Sequence, residues 1–296
     1  MFKGSLVALV TPFDQNNRVD YASLKGLIDF HVGEGTDGLV IAGTTGEAAT
    51  LTKAEHTELI ARAVELAEDR LPIIAGTGSN STQQTIDLSC EVAGTGIAAY
   101  LLVVPYYNKP VQEGMFRHFT AVADAVEKPV MLYNVPGRTG ADLLPETVAR
   151  LAEHENIFGI KEATGDVDRL RALQSLIVDD FRYYSGDDFT SRLFLEAGGH
   201  GIVTVSGNVV PAAIARLCHL VSSGHFEEAR QLDATLQPLN EALFAESNPI
   251  PVKWALHEMG LVPPNVRLPL TELSEQYHGQ MRSALERAGV KLENVA

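Results

Sequence analysis

The sequence contains few cysteines and no long apolar run. Only two of its 296 residues are cysteine, Cys90 and Cys218. They are far apart and neither belongs to a C-x-x-C pair, so a disulfide framework or a thiolate metal site is not expected. The longest apolar runs, such as Ala98–Pro105, are much shorter than the ~20 residues that a membrane helix needs. These absences exclude two broad classes, the small disulfide-rich proteins and the helical membrane proteins.

Basic residues are also scarce relative to acidic ones. The chain has 23 Lys and Arg against 38 Asp and Glu, which gives a net charge of −15. No basic stripe could neutralise a phosphate backbone, so nucleic acid is an improbable partner. The segment Met1–Gly4 leads straight into an apolar strand pattern, without the features of a signal peptide. We therefore expect a soluble, cytoplasmic protein that binds neither nucleic acid nor membranes.

Short apolar runs alternate along the chain with segments of helical period. Each run is about five residues long and apolar on both faces, as expected for a parallel sheet that is buried on both sides. Amphipathic segments such as Tyr21–Gly33 and Lys53–Ala67 separate them. The eight predicted strands are Ser5–Val10, Gly38–Ala42, Leu71–Ala75, Ala99–Val104, Pro129–Asn134, Ile157–Lys161, Phe181–Ser185 and Gly201–Val205.

Eight such units fit a (β/α)₈ TIM barrel better than an open, doubly wound sheet. The average spacing is roughly 28 residues per unit, close to the ~31 of a typical barrel. An open sheet usually shows a G-x-G-x-x-G turn after its first strand. Gly76–Ser81 lacks the third glycine, and Gly94–Ala99 precedes a strand instead of following one. We predict the barrel over residues 1–224, followed by a small C-terminal helical region over residues 225–296, with helices at Phe226–Phe244, Pro251–Met259 and Thr271–Ala288.

Lys161 is the strongest catalytic candidate among the residues at the ends of the predicted strands. Active sites of such barrels lie at these ends. An apolar run, Ile157–Ile160, leads directly into Lys161, and an apolar setting favours a neutral amine. A neutral amine can attack a ketone and form an imine, which acts as an electron sink in carbon–carbon bond formation. The plain alternative is a lysine that leaves the strand and pairs with Glu162 in water.

Three further features could serve the same chemistry. Tyr133 lies one strand away and could relay protons, or it could be only a strand-end aromatic residue. Arg138 could hold a carboxylate by a bidentate fork, or it could be a solvated loop residue. The loop Gly43–Glu47 could bind a carboxylate through backbone N–H groups and two hydroxyls, or it could only cap the next helix. No histidine pattern indicates a metal site and no nucleophilic serine motif follows a strand.

In their order and spacing, several motifs closely resemble those of the dihydrodipicolinate synthase family, which belongs to the N-acetylneuraminate lyase superfamily of pyruvate-dependent aldolases. The resemblance covers essentially the whole chain. The Y-N-V-P-x-R-T and G-I-K-E-A patterns are the most specific. The matching segments are Gly43–Glu47, Pro105–Pro110, Tyr133–Thr139, Gly159–Ala163, Ser185–Asp188 and Asn248–Lys253.

The resemblance implies a condensation of pyruvate with L-aspartate 4-semialdehyde, on the pathway to diaminopimelate and lysine. Lys161 would form the imine with pyruvate. Tyr133, Thr44 and Tyr107 would relay protons, with Tyr107 supplied by a neighbouring subunit. Thr45 would bind the pyruvate carboxylate, Arg138 the semialdehyde carboxylate, and Gly186 and Val203 would line the pocket through backbone groups. The family implies a homotetramer and no organic cofactor. The nearest alternative is another pyruvate-imine enzyme of the superfamily, such as an N-acetylneuraminate or keto-sugar-acid lyase.

Many bacterial members of the family are inhibited by lysine, and the resemblance also indicates where such a site would lie. The corresponding positions are Ala48, Ala49, Lys53, His56, Asn80, Gln84 and Tyr106. Three of them depart from the sensitive pattern: Ala48 stands for a serine, Lys53 for a histidine and Gln84 for a glutamate. A cationic ligand would meet an added like charge and lose a carboxylate. We expect weak or absent feedback by lysine.

Overall fold

Eight parallel strands close into a barrel in which each strand pairs with the next in sequence and the last pairs with the first. The structure is a computed structural model and describes residues 2–177 and 180–293. The prediction of a TIM barrel is therefore confirmed, and the open doubly wound sheet is wrong. The strands are β1 Gly4–Ala8, β2 Gly38–Ile41, β3 Ile73–Gly76, β4 Ala99–Val103, β5 Val130–Asn134, β6 Ile157–Glu162, β7 Arg182–Ser185 and β8 Gly201–Thr204.

Twelve α-helices in the described ranges surround the barrel or follow it. They are α1 Tyr21–Gly33, α2 Lys53–Ala67, α3 Thr82–Val92, α4 Gln112–Ala125, α5 Pro136–Thr139, α6 Pro145–Ala152, α7 Val167–Leu176, α8 Ser191–Glu196, α9 Pro211–Ser222, α10 Phe226–Leu243, α11 Ile250–Glu258 and α12 His278–Arg287. Local sequence explains their starts. Asp20 accepts hydrogen bonds at the start of α1, Thr52 and Glu55 form a capping box on α2, and proline occupies the first turn of α5, α6, α9 and α11.

The barrel strands are buried on both faces because alternate side chains enter two different cores. One core fills the barrel interior and includes Leu6, Val40, Ile74, Met131 and Phe158. The other lies between the strands and the surrounding helices. This division explains why the strands are continuous apolar runs in the sequence and not alternating polar and apolar residues. A polar side chain that faces the barrel interior near the end of a strand therefore departs from this pattern, and it is a candidate for a functional residue.

The last predicted helix begins later than the sequence pattern indicates. Thr271–Ser274 is not helical, a short 3₁₀ turn follows at Glu275–Tyr277, and α12 starts at His278. Ser274 has an extended backbone, and both its N–H and its hydroxyl donate to the Glu246 carboxylate. These tertiary hydrogen bonds replace the helical ones, which a pattern of apolar residues cannot reveal. Among the described residues, no helix combines the length and the apolar character needed to cross a membrane.

Two buried histidines predict a loss of stability in acid. His31 in α1 and His118 in α4 each bond a threonine hydroxyl through Nδ1, while the buried Nε2 has no partner among the described residues. Burial lowers the pKa of each imidazole from 6.5 to about 4. The unfolded chain therefore takes up these protons below pH 6.5, whereas the folded protein resists them until about pH 4, so this stability is complete above pH 6.5 and is lost as the pH falls.

We expect each of the two buried histidines to lower the free energy of unfolding by about 2 kcal/mol at pH 5 relative to pH 7.5. Urea unfolding at the two pH values should show this difference in the wild-type chain and a smaller one in His31→Gln and His118→Gln. His219→Gln, which alters an exposed histidine on α9, is the matched control. Equal pH sensitivity in all four proteins would contradict the assignment.

Candidate active site

Lys161 is the next-to-last residue of β6 and lies at the same level as Tyr133 of β5 and Tyr184 of β7. Its side chain is only 6% exposed. The Nζ atom is 4.2 Å from the centroid of the Tyr133 ring. The predicted proximity of the amine and the phenol is therefore confirmed, because neighbouring strands bring the two side chains to one level of the barrel.

Gly186, the residue after β7, leaves the space that the Lys161 side chain occupies. A Cβ atom at this position would lie 2.7 Å from Cε of Lys161 and 2.7 Å from Cβ of Ala163. The Gly186 N–H donates to the Glu162 carbonyl at 2.7 Å, which holds its backbone against β6. The glycine is thus required by a close approach of backbone to side chain.

Glu162 points away from Lys161, to the outside of the barrel. Its buried carboxyl accepts from the Asn134 side-chain amide at 3.1 Å and 3.3 Å and from the Thr164 N–H at 2.9 Å. Burial raises the pKa of this carboxyl. The plain alternative for Lys161, a solvated lysine paired with Glu162, is therefore wrong. In the described parts of the chain, no ion pair involves Lys161.

The loop Gly43–Glu47 after β2 brings Thr44 and Thr45 to the end of the barrel where Lys161 lies. Thr45 is almost fully buried, and its Oγ1 accepts a hydrogen bond of 3.0 Å from the side-chain amide of Asn248. Thr11 Oγ1 donates to the Gly46 carbonyl at 2.7 Å. Thr45 and the loop backbone at Gly46 are therefore held by contacts from distant parts of the chain.

Arg138 reaches the same region from the short helix α5 that follows β5. Its Nη2 donates to the backbone carbonyl of Asn248 at 3.3 Å. Asn248 thus bonds both predicted carboxylate-binding residues, Thr45 through its side chain and Arg138 through its backbone. Asn248 was not among the site residues predicted from the sequence. Its only signal was the segment Asn248–Lys253, which we used for the resemblance and not as a source of site residues.

Two adjoining cavities open at this end of the barrel. The smaller, of about 120 Å³, is lined by Lys161, Gly186, Thr45 and other residues. The larger, of about 670 Å³, extends from it toward α2 and α3. Both are lined by Thr44, Tyr133, Arg138 and Asn248. The imine candidate, the phenol and the carboxylate-binding candidates therefore surround one continuous space large enough for small carboxylic acids.

Two predicted site residues lie apart from these cavities. Tyr107 is 89% exposed and has a left-handed backbone with φ of 73°. Val203 in β8 is fully buried in the barrel interior. Neither residue lines either cavity. For Tyr107 this agrees with a side chain that acts only in a neighbouring subunit.

The residues of the predicted lysine site surround the outer part of the larger cavity. Ala49, His56, Gln84 and Tyr106 line it, together with Ala48 and Lys53. Asn80 does not, and its carbonyl accepts from the Asn108 side chain. Lys53 pairs with Glu91 at 2.6 Å, which partly neutralises the added positive charge, while the Gln84 carbonyl oxygen accepts from the Ser79 hydroxyl.

Comparisons of the sequence and of the structure with known proteins find relatives of the same family. Residues 1–288 match the dihydrodipicolinate synthetase family. A 4-hydroxy-tetrahydrodipicolinate synthase from Pseudomonas syringae pv. syringae is 52% identical over 290 residues, which are 98% of this chain and 99% of that protein. The structure is also similar to a chloride-inhibited dihydrodipicolinate synthase from Acinetobacter baumannii in complex with pyruvate. The TM-score is 0.96 at 48% identity, over 98% of this chain and all of that one.

A third similar structure is described as the first monomeric dihydrodipicolinate synthase variant. It has a TM-score of 0.95 and 39% identity over 98% of each chain. The relatives therefore match the barrel, the site region and the C-terminal helices, with no large part of either chain left over. The chain belongs to the dihydrodipicolinate synthetase family.

Proposed function

We propose that this protein condenses pyruvate with L-aspartate 4-semialdehyde through an imine on Lys161, the reaction of 4-hydroxy-tetrahydrodipicolinate synthases. One observation carries the proposal: a buried lysine amine and a phenol ring 4.2 Å apart adjoin a cavity whose other walls present Thr44, Thr45 and Arg138. The family and the 52% identical relative support it. The activity is that of a lyase in lysine biosynthesis, and no organic cofactor enters the proposed chemistry.

The chemistry of the first half-reaction follows from these groups. The Lys161 amine attacks the ketone carbon of pyruvate, a C–N bond forms, and the ketone oxygen leaves as water after receiving two protons. Tyr133 and Thr44 border the reacting atoms and are the proposed proton carriers, joined by Tyr107 of a neighbouring subunit. Thr45 and the loop N–H groups bind the pyruvate carboxylate. Gly186 leaves room for the adduct beside β7. The pocket role that the resemblance implies for Val203 has no support from the cavities, since Val203 lines neither of them.

The second half-reaction requires an acceptor that is held by its own carboxylate. The imine draws electrons from the pyruvate methyl group, which gives a proton to the proposed carriers. The resulting enamine carbon attacks the aldehyde carbon, whose oxygen takes up a proton. The amino group of the semialdehyde then attacks the imine carbon, which closes the ring and releases the Lys161 amine. Arg138 lines both cavities and its guanidinium can hold the carboxylate of a short acceptor. A long sugar acceptor does not need a carboxylate clamp at this place, which favours the semialdehyde over N-acetylmannosamine.

Borohydride trapping tests the proposed function. Incubation with pyruvate and borohydride should leave one reduced adduct, which peptide mass spectrometry assigns to Lys161. In a separate assay without borohydride, the protein with pyruvate should consume aspartate semialdehyde and should not consume N-acetylmannosamine. An adduct elsewhere, or no adduct, would refute the imine assignment, and the reverse acceptor preference would favour a sugar-acid lyase.

We further propose that the protein acts as a multimer, and specifically as a homotetramer. Support comes from Tyr107, which is exposed here and lines neither cavity. A similar protein described as the first monomeric variant also indicates that a single chain is unusual among such enzymes. The cytoplasmic location expected from the sequence stays a prediction.

Lysine should inhibit the enzyme weakly or not at all. Gln84 offers no carboxylate to a lysine ammonium, and Lys53 adds a positive charge that Glu91 only partly offsets. Titrating the condensation assay with lysine checks this expectation. The variant Gln84→Glu with Lys53→His should gain sensitivity if the assignment of the site is correct. Inhibition of the wild type at sub-millimolar lysine would overturn the prediction.

A further inference from the structure

A buried ion pair lies directly beneath the loop that carries Thr44 and Thr45. Glu47 ends this loop, and its Oε1 is 2.6 Å from Nζ of Lys253 in α11. Both side chains are fully buried. The second oxygen of Glu47 accepts from the backbone N–H of Arg267 at 3.0 Å. Both carboxylate oxygens are therefore bonded by residues more than 200 positions away in the chain.

An aromatic ring completes the surroundings of the pair. Phe13 lies 4.2 Å from the Lys253 amine and 4.3 Å from the Arg267 guanidinium, measured to the ring centroid. Burial lowers the pKa of Lys253 to about 8, although the neighbouring Glu47 opposes this shift. Removing one partner would leave the other buried without a compensating charge, so the loss of either side chain should disturb this region.

The backbone is strained at Glu47, the last residue of the loop, and at Ala42, the residue just before the loop. Ala42 and Glu47 have φ of 55° and 54°, a left-handed conformation that residues with a Cβ atom rarely adopt. Such a conformation persists only where the surroundings enforce it. At the start, Gly76 and Gly46 pack closely on Ala42. At the end, the enforcing contacts are those of the Glu47 carboxylate with Lys253 and Arg267.

These contacts are linked to the reacting residues by a short path. The Glu47 N–H donates to the Thr44 carbonyl at 3.1 Å, and Asn248, on the segment that leads into α11, donates to Thr45 Oγ1. Lys253 in α11 and Asn248 just before that helix therefore both contact the same five-residue loop. Lys253 lines neither cavity, and Glu47 lines only the larger one, not the smaller cavity that holds Lys161.

We propose that Glu47 and Lys253 are positioning residues that hold the loop Gly43–Glu47 in the conformation that binds the pyruvate carboxylate. The inference deepens the proposed function and rests on it. In this proposal the pair does not bind pyruvate directly. It acts through Thr44, Thr45 and the loop N–H groups, whose placement within a fraction of an ångström decides how well the carboxylate is held.

The test measures how much pyruvate half-saturates imine trapping in the full-length protein. Glu47→Gln and Lys253→Met should each raise this concentration about tenfold, since a loosened loop misplaces its donors. Glu258→Gln is the matched control, because it breaks another ion pair of α11, that of Glu258 with Arg282, with no contact to the loop. It should lower the thermal unfolding midpoint and leave half-saturation unchanged.

A double-variant comparison separates positioning from general destabilisation. If Glu47 acts through Thr45, then Glu47→Gln should add little once Thr45→Ala is present, whereas independent effects would multiply. Circular dichroism checks that each variant is folded. If Glu47→Gln does not fold, Lys253→Met takes its place in the comparison. Unchanged half-saturation in folded variants, or multiplying effects, would overturn the inference while the imine stands. Failure of the wild type to form an adduct would overturn the proposed function and this inference together.

Discussion

Replacing Lys161 with alanine should abolish the pyruvate-dependent borohydride adduct and slow condensation by about four orders of magnitude or more. The amine supplies the only covalent bond to pyruvate in the proposed mechanism, and no other lysine lines the smaller cavity among the described residues. Lys161→Arg should be equally inactive, because a guanidinium that stays protonated is not a nucleophile. The measurements are adduct mass and the rate of semialdehyde consumption.

Two controls make this expectation specific. Lys25→Ala removes an exposed lysine that pairs with Asp29 on α1, and it should leave both readouts unchanged. Far-ultraviolet circular dichroism should show the same fold in all variants, since alanine removes only one inward-facing side chain at the barrel mouth. Persistence of a pyruvate adduct in Lys161→Ala would mean that another amine performs the chemistry.

The strands and Lys161 could be predicted from the sequence because both depend on local patterns. Buried parallel strands are apolar on both faces, so each appears as a short continuous run whatever the rest of the chain does. Lys161 was conspicuous because it interrupts such a run where the barrel opens. The position of Tyr133 beside Lys161 could be predicted as well, because neighbouring strands of a closed parallel barrel end at the same rim.

The contacts that hold the loop could not be predicted in the same way. Glu47 and Lys253 are separated by 206 positions, and no periodicity relates residues so far apart in the chain. The sequence pattern predicts the C-terminal helical region but not its contacts with the site. Asn248 lines the cavities, and Lys253 and Arg267 bond Glu47 at the end of the loop. The late start of α12 has the same origin, a tertiary hydrogen bond that local propensity cannot express.

Tyr133→Phe tests the proton relay without disturbing the packing around Lys161. The phenylalanine ring keeps the position 4.2 Å from the Lys161 amine but loses the hydroxyl that would carry protons to and from the reacting atoms. We expect both imine trapping and condensation to slow by about 10²- to 10³-fold, within the usual range for general acid–base catalysis. Half-saturation by pyruvate should change little, because Thr45 and the loop hold the carboxylate.

Tyr100→Phe is the matched control on the neighbouring strand β4, since its buried hydroxyl donates to the Ser89 carbonyl at 2.9 Å outside the barrel interior. Removing that hydrogen bond should cost about 1 kcal/mol of unfolding free energy and leave the rates unchanged. The two substitutions delete the same atom, so a common loss of stability cannot explain a difference in rate. A Tyr133→Phe enzyme that traps pyruvate as fast as wild type would assign the relay to Thr44 and the neighbouring subunit's tyrosine instead.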